Sequence, residues 1–389
     1  MLFLKKKDMG QSHNRFGSVL IQVAVIVAVL LCARALLVNT QANLEARNIA
    51  SGFGFLSLES GMPISDSLLP YTPADSYGYA FFMGIINTLY VSVIGIVLAT
   101  LIGVIVGVAR VSGNWLVAKL AEVYVEVLRN IPLLLILFFT YGVVLAALPG
   151  PKASLEPLSG FFLNNRGIYL PKPIFETAMY FVLTAFIAGV AGAFVYRYKA
   201  IRYQEETGQS RPVFLAGLAL IIGLPVLVYF LSGSPLSFEF ARLKGFNFKG
   251  GMVIRPEFTA LMVGLVLYTA AFIGENVRSG IQSVDQGQLE AAKALGLPAG
   301  ITMRRVILPQ ALRVIIPATT NDYASLVKNS SLAVAIGYPD MVSIGGTIIG
   351  QNDQAIEIIA MWMAVYLSIN LLISLVMNRL NARVQLIGR

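Results

Sequence analysis

The most informative stretch of this chain is Glu290-Ala291-Ala292-Lys293-Ala294-Leu295-Gly296, followed after nine residues by Val306-Ile307-Leu308-Pro309. The stretch is polar and rich in alanine, the residue with the highest helix propensity. Long apolar runs lie on both sides of it. A membrane protein that places such a segment between two spans usually does so in order to bind a partner.

The ends of two short helices are recognisable around this stretch. Ser283 and Gln286 fit a capping box at the start of the first helix. Gly296 stands where a residue of left-handed conformation is expected to close that helix. Pro298 suits the first turn of a second helix, which we expect Pro309 to interrupt. The sequence therefore predicts two short helices that meet at Gly296.

Composition places the chain in a membrane. Hydrophobic residues make up 57% of it, charged residues only 13%, and the mean hydropathy is +0.74. Soluble domains typically carry about 25% charged residues, so we predict a polytopic membrane protein. The single cysteine, Cys32, and the single histidine, His13, exclude a disulfide framework and a His/Cys metal cluster. We expect neither a metal site nor a catalytic residue.

Eight runs are long enough to cross about 30 Å of hydrocarbon. They lie near residues 19–38, 82–108, 131–148, 174–196, 213–231, 257–275, 314–337 and 356–378. The first run follows Lys5, Lys6 and Lys7 and is too long for the core of a signal peptide, so we expect a retained anchor.

Charge predicts how these spans are oriented. With the N-terminus inside, nineteen Lys and Arg residues fall in inside segments and eight in outside loops. This distribution obeys the positive-inside rule. It predicts that both termini are cytoplasmic and that the helical segment at 283–309 is cytoplasmic as well.

The pattern E-A-A-x3-G-x9-V-x-L-P resembles the coupling loop by which permease subunits of binding-protein-dependent ABC importers dock onto their ATPases. Two further runs resemble markers of the polar amino acid uptake family: Val127-Leu128-Arg129-Asn130-Ile131-Pro132-Leu133-Leu134 and Ala271-Phe272-Ile273-Gly274-Glu275-Asn276-Val277-Arg278-Ser279-Gly280-Ile281. Pro132 at the start of a span would explain the first of these runs without any function.

This resemblance implies a fold class. It is an all-α polytopic membrane protein of about eight helices, in which a five-helix type I ABC importer permease core carries an N-terminal helix and a two-helix insert. Such an insert is similar to that of the larger permease subunit of general L-amino acid transport systems. The corresponding division is an anchor with an outer segment (1–81), the first part of the core (82–148), the insert (149–256), and the second part of the core (257–389).

The resemblance also implies a function and partners. The implied function is import of L-amino acids across the bacterial inner membrane by alternating access. The implied partners are two copies of an ABC ATPase, a second related permease subunit rather than another copy of this chain, and a periplasmic amino-acid-binding protein. No cofactor and no nucleic acid is expected. The chain contains no G-x-x-x-x-G-K-[ST] loop, so ATP would act through the partner ATPases.

The residues assigned to ATPase coupling are Glu290, Ala291, Ala292, Gly296, Leu308 and Pro309. The small side chains of Ala291 and Ala292 would allow close approach to a groove of the partner, and Glu290 would reach a basic or donor group there. The structural alternative is an ordinary helical connector between two spans.

The span at 314–337 contains polar residues that a lipid-facing helix would not carry. Asp322 and Asn329 are seven residues apart and share one helix face, and Asn321 and Ser325 lie beside them. We expect Asp322 to receive a substrate ammonium group and the asparagines to bind the ligand. Alternatively, Asp322 and Lys328 satisfy one another within the bundle.

Two further residues are candidates for the translocation path. Asn87, early in its span, would line the path or form an interhelical hydrogen bond. Glu275 and Arg278 would form a gate or a simple pair three residues apart on one helix. An ion-coupled secondary transporter of small polar solutes is the competing function, although the inverted repeats typical of that class are not evident.

Overall fold

The computed structural model describes residues 11–46 and 52–384. Its helices are α1 (Gln11–Ala46), α2 (Tyr77–Arg110), α3 (Trp115–Asn130), α4 (Leu133–Ala147), α5 (Met179–Thr207), α6 (Val213–Leu218), α7 (Leu224–Leu231), α8 (Pro256–Gln282), α9 (Gln286–Ala294), α10 (Ala299–Thr302), α11 (Leu308–Asn329), α12 (Met341–Asn352) and α13 (Ala355–Val384). The basic residues Lys5, Lys6 and Lys7, on which the orientation partly depends, lie outside the described residues.

Six described helices are long and apolar enough to cross a membrane. They are Ser18–Thr40 within α1, α2, α5, the continuous helix Val213–Leu231, α8 and α13. Two bent pairs bring the number to eight if each is one span: α3 with α4, bent by 107°, and Ala299–Ile336 with α12, bent by 53°. The all-α polytopic fold class is therefore confirmed, and the runs predicted at 131–148 and 314–337 are each one arm of a bent pair.

The chain divides into two compact units, the first being the described parts of Met1–Val97 and Asn276–Arg389. Its core joins the outer segment to α2, α12 and α13 through Phe55, Met62, Tyr77, Ala80, Phe81, Met341, Ile344, Ile348 and Ile358. A Cβ at Gly84 would lie 2.8 Å from Cα of Met341, so only glycine lets α2 approach α12 this closely. Residues 338–355, which lie between the predicted spans 314–337 and 356–378, are mostly helical, because α12 occupies most of them.

The second unit, Leu98–Glu275, is held together by close helix packing. A Cβ at Gly103 would lie 2.7 Å from the Ile273 side chain, and one at Gly264 would lie 2.7 Å from Leu137. These glycines bring α2 and α4 against α8. Because interiors pack at nearly crystalline density, larger residues at either position would force the helices apart.

The insert lies within this second unit and contains a helical hairpin. Its arms are α5 and the continuous helix Val213–Leu231, in which residues 219–223 form a π-helical turn. A Cβ at Gly189 would lie 2.1 Å from the Leu220 carbonyl oxygen, so glycine permits direct contact between α5 and the backbone of this turn. The two extra spans predicted for the insert correspond to these two arms.

The segments on either side of this hairpin form short strands that the sequence analysis did not predict. The strands are β1 (Leu155–Leu158), β2 (Phe161–Asn164), β3 (Gly167–Leu170), β4 (Lys172–Phe175), β5 (Leu236–Glu239), β6 (Arg242–Lys244), β7 (Asn247–Lys249) and β8 (Met252–Ile254). They pair antiparallel as β1-β2-β3-β8, β4-β5 and β6-β7. We call residues 149–175 and 232–255 together the β module.

Candidate coupling segment and translocation path

The first helix of the coupling segment begins differently from the prediction. Asp285 is the N-cap of α9, and its Oδ1 accepts a hydrogen bond from the Gly287 amide at 2.6 Å. Ser283 instead donates its hydroxyl proton to the Gly280 carbonyl at 2.8 Å, within the last turn of α8. The predicted capping box of Ser283 and Gln286 is therefore wrong, because the short Asp285 carboxylate is closer to the unpaired amides of the first turn.

The end of α9 follows the sequence closely. Gly296 has φ of +67°, the left-handed conformation expected of it. The Leu297 amide donates to the Ala292 carbonyl at 3.0 Å, and the Gly296 amide donates to the Lys293 carbonyl at 2.9 Å. This pair of bonds is a Schellman motif. It fixes the turn between α9 and α10, which begins after Pro298.

The second helix does not stop at Pro309. After α10, residues 303–307 form a π-helical turn, and α11 continues through Pro309 to Asn329. The Leu308 amide donates to the Met303 carbonyl, five residues back. Pro309 directly follows the π-helical turn, where the regular hydrogen-bond ladder is already interrupted, so the helix tolerates its missing N–H. From Ala299 onward, the coupling segment therefore continues as helix, without a break, into the span that carries Asp322.

The six coupling candidates differ in accessibility. Glu290 and Ala291 are exposed on α9, and Leu308 is 40% exposed. Ala292 is only 3% exposed and packs inside the chain. The expectation that Ala292 offers a face to a partner groove is therefore corrected, because its side chain faces the chain's own interior.

Exposed apolar side chains on this segment were missed by the sequence analysis. Leu295, beside the glycine at the bend, is 77% exposed, and Ile301 is 48% exposed. Large apolar residues exposed on an otherwise polar segment are typical of a protein–protein contact.

The polar residues of α11 fall into two groups. Asn321, Ser325 and Lys328 are exposed and follow one another at helical spacing along one stripe. Asp322 and Asn329 are partly buried beside this stripe. A neighbouring face of α11 is buried, with Ala311, Ile315, Thr319 and Leu326 packed in the interior, and Asp322 lies at the edge of this face. The helix therefore has one face for the chain's own core and one polar face free of it.

Asp322 has a partner on another helix that the sequence analysis did not identify. The Asn276 side-chain amide donates to Oδ2 of Asp322 at 2.6 Å. A Cβ at Gly280, one turn further along α8, would lie 2.4 Å from the Ile315 side chain. The two helices are thus in close contact, and this contact holds the Asp322 carboxylate at a fixed position on α11.

The remaining two path candidates are engaged in structural contacts. Asn87 is 1% exposed, and its Nδ2 donates to the carbonyls of Asp66 at 2.7 Å and Pro339 at 2.8 Å. Glu275 forms an ion pair with Arg110 of α2, a partner that no sequence pattern indicated.

Arg278, which was expected to pair with Glu275 or to form a gate with it, donates to the side-chain oxygen of Gln282. The two family-like runs also come together, since the Arg129 guanidinium lies 5.1 Å from the centre of the Phe272 ring. A cation over an aromatic face is attracted by the ring quadrupole. This contact between α3 and α8 gives Arg129 and Phe272 a structural role.

Comparison with known proteins identifies the class of this membrane protein. The family model described as "Binding-protein-dependent transport system inner membrane component" matches residues 99–386, and the chain belongs to this family. It is a transport component and not an enzyme. The motif, the spans and the family agree, and the ion-coupled alternative is not favoured.

Several curated proteins are similar over nearly their whole length. The putative amino-acid ABC transporter permease protein YhdX of Escherichia coli K12 is 48% identical over 372 residues, covering 95% of this chain and 94% of that protein. The general L-amino acid transport system permease protein AapQ of Rhizobium johnstonii is 46% identical, covering 96% and 94%. The glutamate/glutamine/aspartate/asparagine transport system permease protein BztB of Rhodobacter capsulatus is 39% identical, covering 96% and 95%.

Proposed function

We propose that this chain is the permease subunit of an ABC importer that moves L-amino acids of broad, mainly polar type into the cytoplasm. The similarity to amino-acid permease subunits over about nineteen-twentieths of the chain carries this proposal. Alternating access would be driven by ATP hydrolysis in partner ATPases, because this sequence has no phosphate-binding loop of its own. In this scheme the chain provides the translocation path and the coupling segment, and ATP hydrolysis by the ATPases drives the conformational change.

The contact with the ATPase is assigned to the exposed side of the coupling segment. Leu295 and Ile301 would enter an apolar groove of the ATPase, and Glu290 and Ala291 would lie at its edge. Ala292 and Gly296 would maintain the conformation of the coupling segment and would not contact the ATPase. Because α10, the π-helical turn and α11 are continuous, a displacement of the docked segment would be transmitted directly along the span.

A second permease subunit follows from the exposed polar stripe of α11. Asn321, Ser325 and Lys328 lie on a predicted span, and polar or charged groups facing hydrocarbon are costly. The stripe is therefore expected to face either a related permease half or a water-filled path between two halves. We infer that a related permease chain forms a heterodimer with this one. Two ATPases would bind on the cytoplasmic side, and a periplasmic amino-acid-binding protein would bind on the outer side.

The substrate path is assigned to the residues beside this stripe. Asp322 would receive the ammonium group of the amino acid, and Asn321, Ser325 and Asn329 would offer hydrogen bonds. The Asn276 amide, which donates to Asp322, would keep the carboxylate oriented. Replacing the charge with Asp322→Asn should lower amino acid uptake by the reconstituted importer while nucleotide binding by the ATPases is retained. Unchanged uptake would remove Asp322 from the path.

The orientation is part of the same proposal. The chain would lie in the bacterial inner membrane with both termini and residues 276–313 in the cytoplasm, and with the β module outside. The excess of Lys and Arg in the inside segments supports this arrangement.

Cysteine cross-linking tests the docking surface and the orientation together. In a Cys32→Ser background, Leu295→Cys should capture the ATPase through a short thiol-reactive cross-linker. Phe246→Cys is the matched control, because Phe246 is also apolar and is 75% exposed, against 77% for Leu295, but lies in the β module. Absence of an ATPase adduct at position 295, or an equal adduct at position 246, would refute the proposal.

A further inference from the structure

The β module is a folded unit with its own small core. The strands β3 and β8 pair, as do β4 and β5, so the two segments separated by the α5–α7 hairpin are joined to each other in two separate sheets. The Phe248 ring lies 4.6 Å from that of Phe162 and 4.8 Å from that of Tyr169, measured between ring centres. The Tyr169 hydroxyl donates to Asn247 Oδ1 at 3.0 Å. An ordered unit of this kind can hold the side chains of a binding site at fixed positions.

The β module is also unusually basic for its predicted location. Seven of the eight Lys and Arg residues assigned to outside loops belong to it, whereas it contains two acidic residues, Glu156 and Glu239. Positive charge outside opposes the usual bias of membrane proteins. A concentration of one charge in a cleft raises the local concentration of ions of the opposite charge.

A cavity of about 490 Å³ lies between the β module and the ends of α4 and α8. Its polar lining includes Arg166, Arg255, Glu257, Asn165 and Asn247. The volume falls in the range of small-molecule sites, about 300–1,000 Å³. The lining carries two guanidinium groups and one carboxylate, and it therefore matches a ligand with two carboxylates and one ammonium group.

Several contacts give these groups fixed positions. The Arg166 amide donates to Asn164 Oδ1 at 2.8 Å, and its Nη1 donates to the Phe246 carbonyl at 3.2 Å. The Tyr141 hydroxyl donates to Oε1 of Glu257 at 3.1 Å.

We propose that this cavity is a binding site for acidic amino acids at the outer entrance of the permease. Arg166 and Arg255 hold the two carboxylates, since guanidinium groups bind carboxylates with paired hydrogen bonds. Glu257 receives the ammonium group. The site rests on the proposed import function, to which it adds a substrate class and a second place of contact outside the span.

Equilibrium binding of radiolabelled L-glutamate tests the site. The complex is purified with its partner subunits in mild detergent, without a binding protein. The variant Arg166→Gln should raise the dissociation constant for L-glutamate at least tenfold. The matched control is Lys244→Gln, which removes one positive charge from the same β module outside the cavity and should change the constant less than twofold. Thermal unfolding of both variants should match that of the unmodified complex.

Competition separates the proposed ligand from related anions. L-aspartate should displace L-glutamate, whereas succinate, which lacks the ammonium group, and L-alanine, which lacks the second carboxylate, should compete at least tenfold less well. Equal competition by succinate would contradict the role given to Glu257.

Three other results would overturn the site: no saturable glutamate binding, unchanged affinity in Arg166→Gln, or an equal loss in Lys244→Gln. ATP-driven uptake of a neutral amino acid is measured in parallel. If that uptake persists while the binding result is negative, the site is wrong and the proposed function stands. If the unmodified importer takes up no amino acid at all, the proposed function itself fails.

Discussion

The bend at Gly296 offers the most direct test of how the coupling segment works. Gly296 has φ of +67° and closes α9 with the two backbone hydrogen bonds of a Schellman motif. An L-residue with a Cβ pays about 1–2 kcal/mol in the left-handed region. Added Cβ atoms would meet nothing within 4 Å, so the cost of Gly296→Ala is conformational and not steric.

This cost translates into a measurable loss of coupling. A penalty of about 1–2 kcal/mol lowers the population of the bent form relative to its alternatives by a factor of about 5–30. Stimulation of the ATPase by substrate-loaded binding protein, measured in proteoliposomes, should fall severalfold in Gly296→Ala. Asparagine enters the left-handed region more readily than alanine, so Gly296→Asn should retain more activity.

Gly300→Ala is the matched control for this effect. Gly300 lies in α10 without a positive φ, and an added Cβ would meet nothing within 4 Å. Because alanine is favoured over glycine in a helix by about 1 kcal/mol, this variant should keep full coupling. Equal activity of Gly296→Ala and Gly300→Ala, or a ranking of alanine above asparagine at position 296, would refute the role given to the bend.

Three further predictions concern other contacts. Asp285→Ala removes the N-cap of α9, should cost about 1 kcal/mol, and should make the amides of the first turn exchange faster with deuterium, whereas protection elsewhere should not change. Gly84→Ala places a Cβ 2.8 Å from backbone and should lower the unfolding temperature of the detergent-purified chain, whereas Gly346→Ala, with open space around it, should not. Glu275→Gln leaves the mostly buried Arg110 without its carboxylate partner and should destabilise the chain by about 3 kcal/mol. A double variant that also carries Arg110→Met should recover part of this stability. If it recovers none, the ion pair does not have the role given to it.

Local properties of the sequence were sufficient for the class of fold and for the outline of the coupling segment. Apolar runs indicated the spans because crossing hydrocarbon requires a minimum length of apolar helix, whatever packs around it. Gly296 was predicted correctly because a left-handed residue is a property of one position in the chain. The helix bends were only partly predicted, since Pro309 was expected to interrupt a helix that in fact continues through a π-helical turn.

Contacts between distant residues were decided by the tertiary structure alone. The burial of Ala292, the hydrogen bond between Asn276 and Asp322, and the ion pair of Arg110 with Glu275 each join segments whose distance in sequence carries no information about their distance in space. The β module is the largest example, because its strands are too short and irregular to show a period of two. Their pairing joins segments on either side of a helical hairpin, so it depends on the hairpin holding its two ends close together.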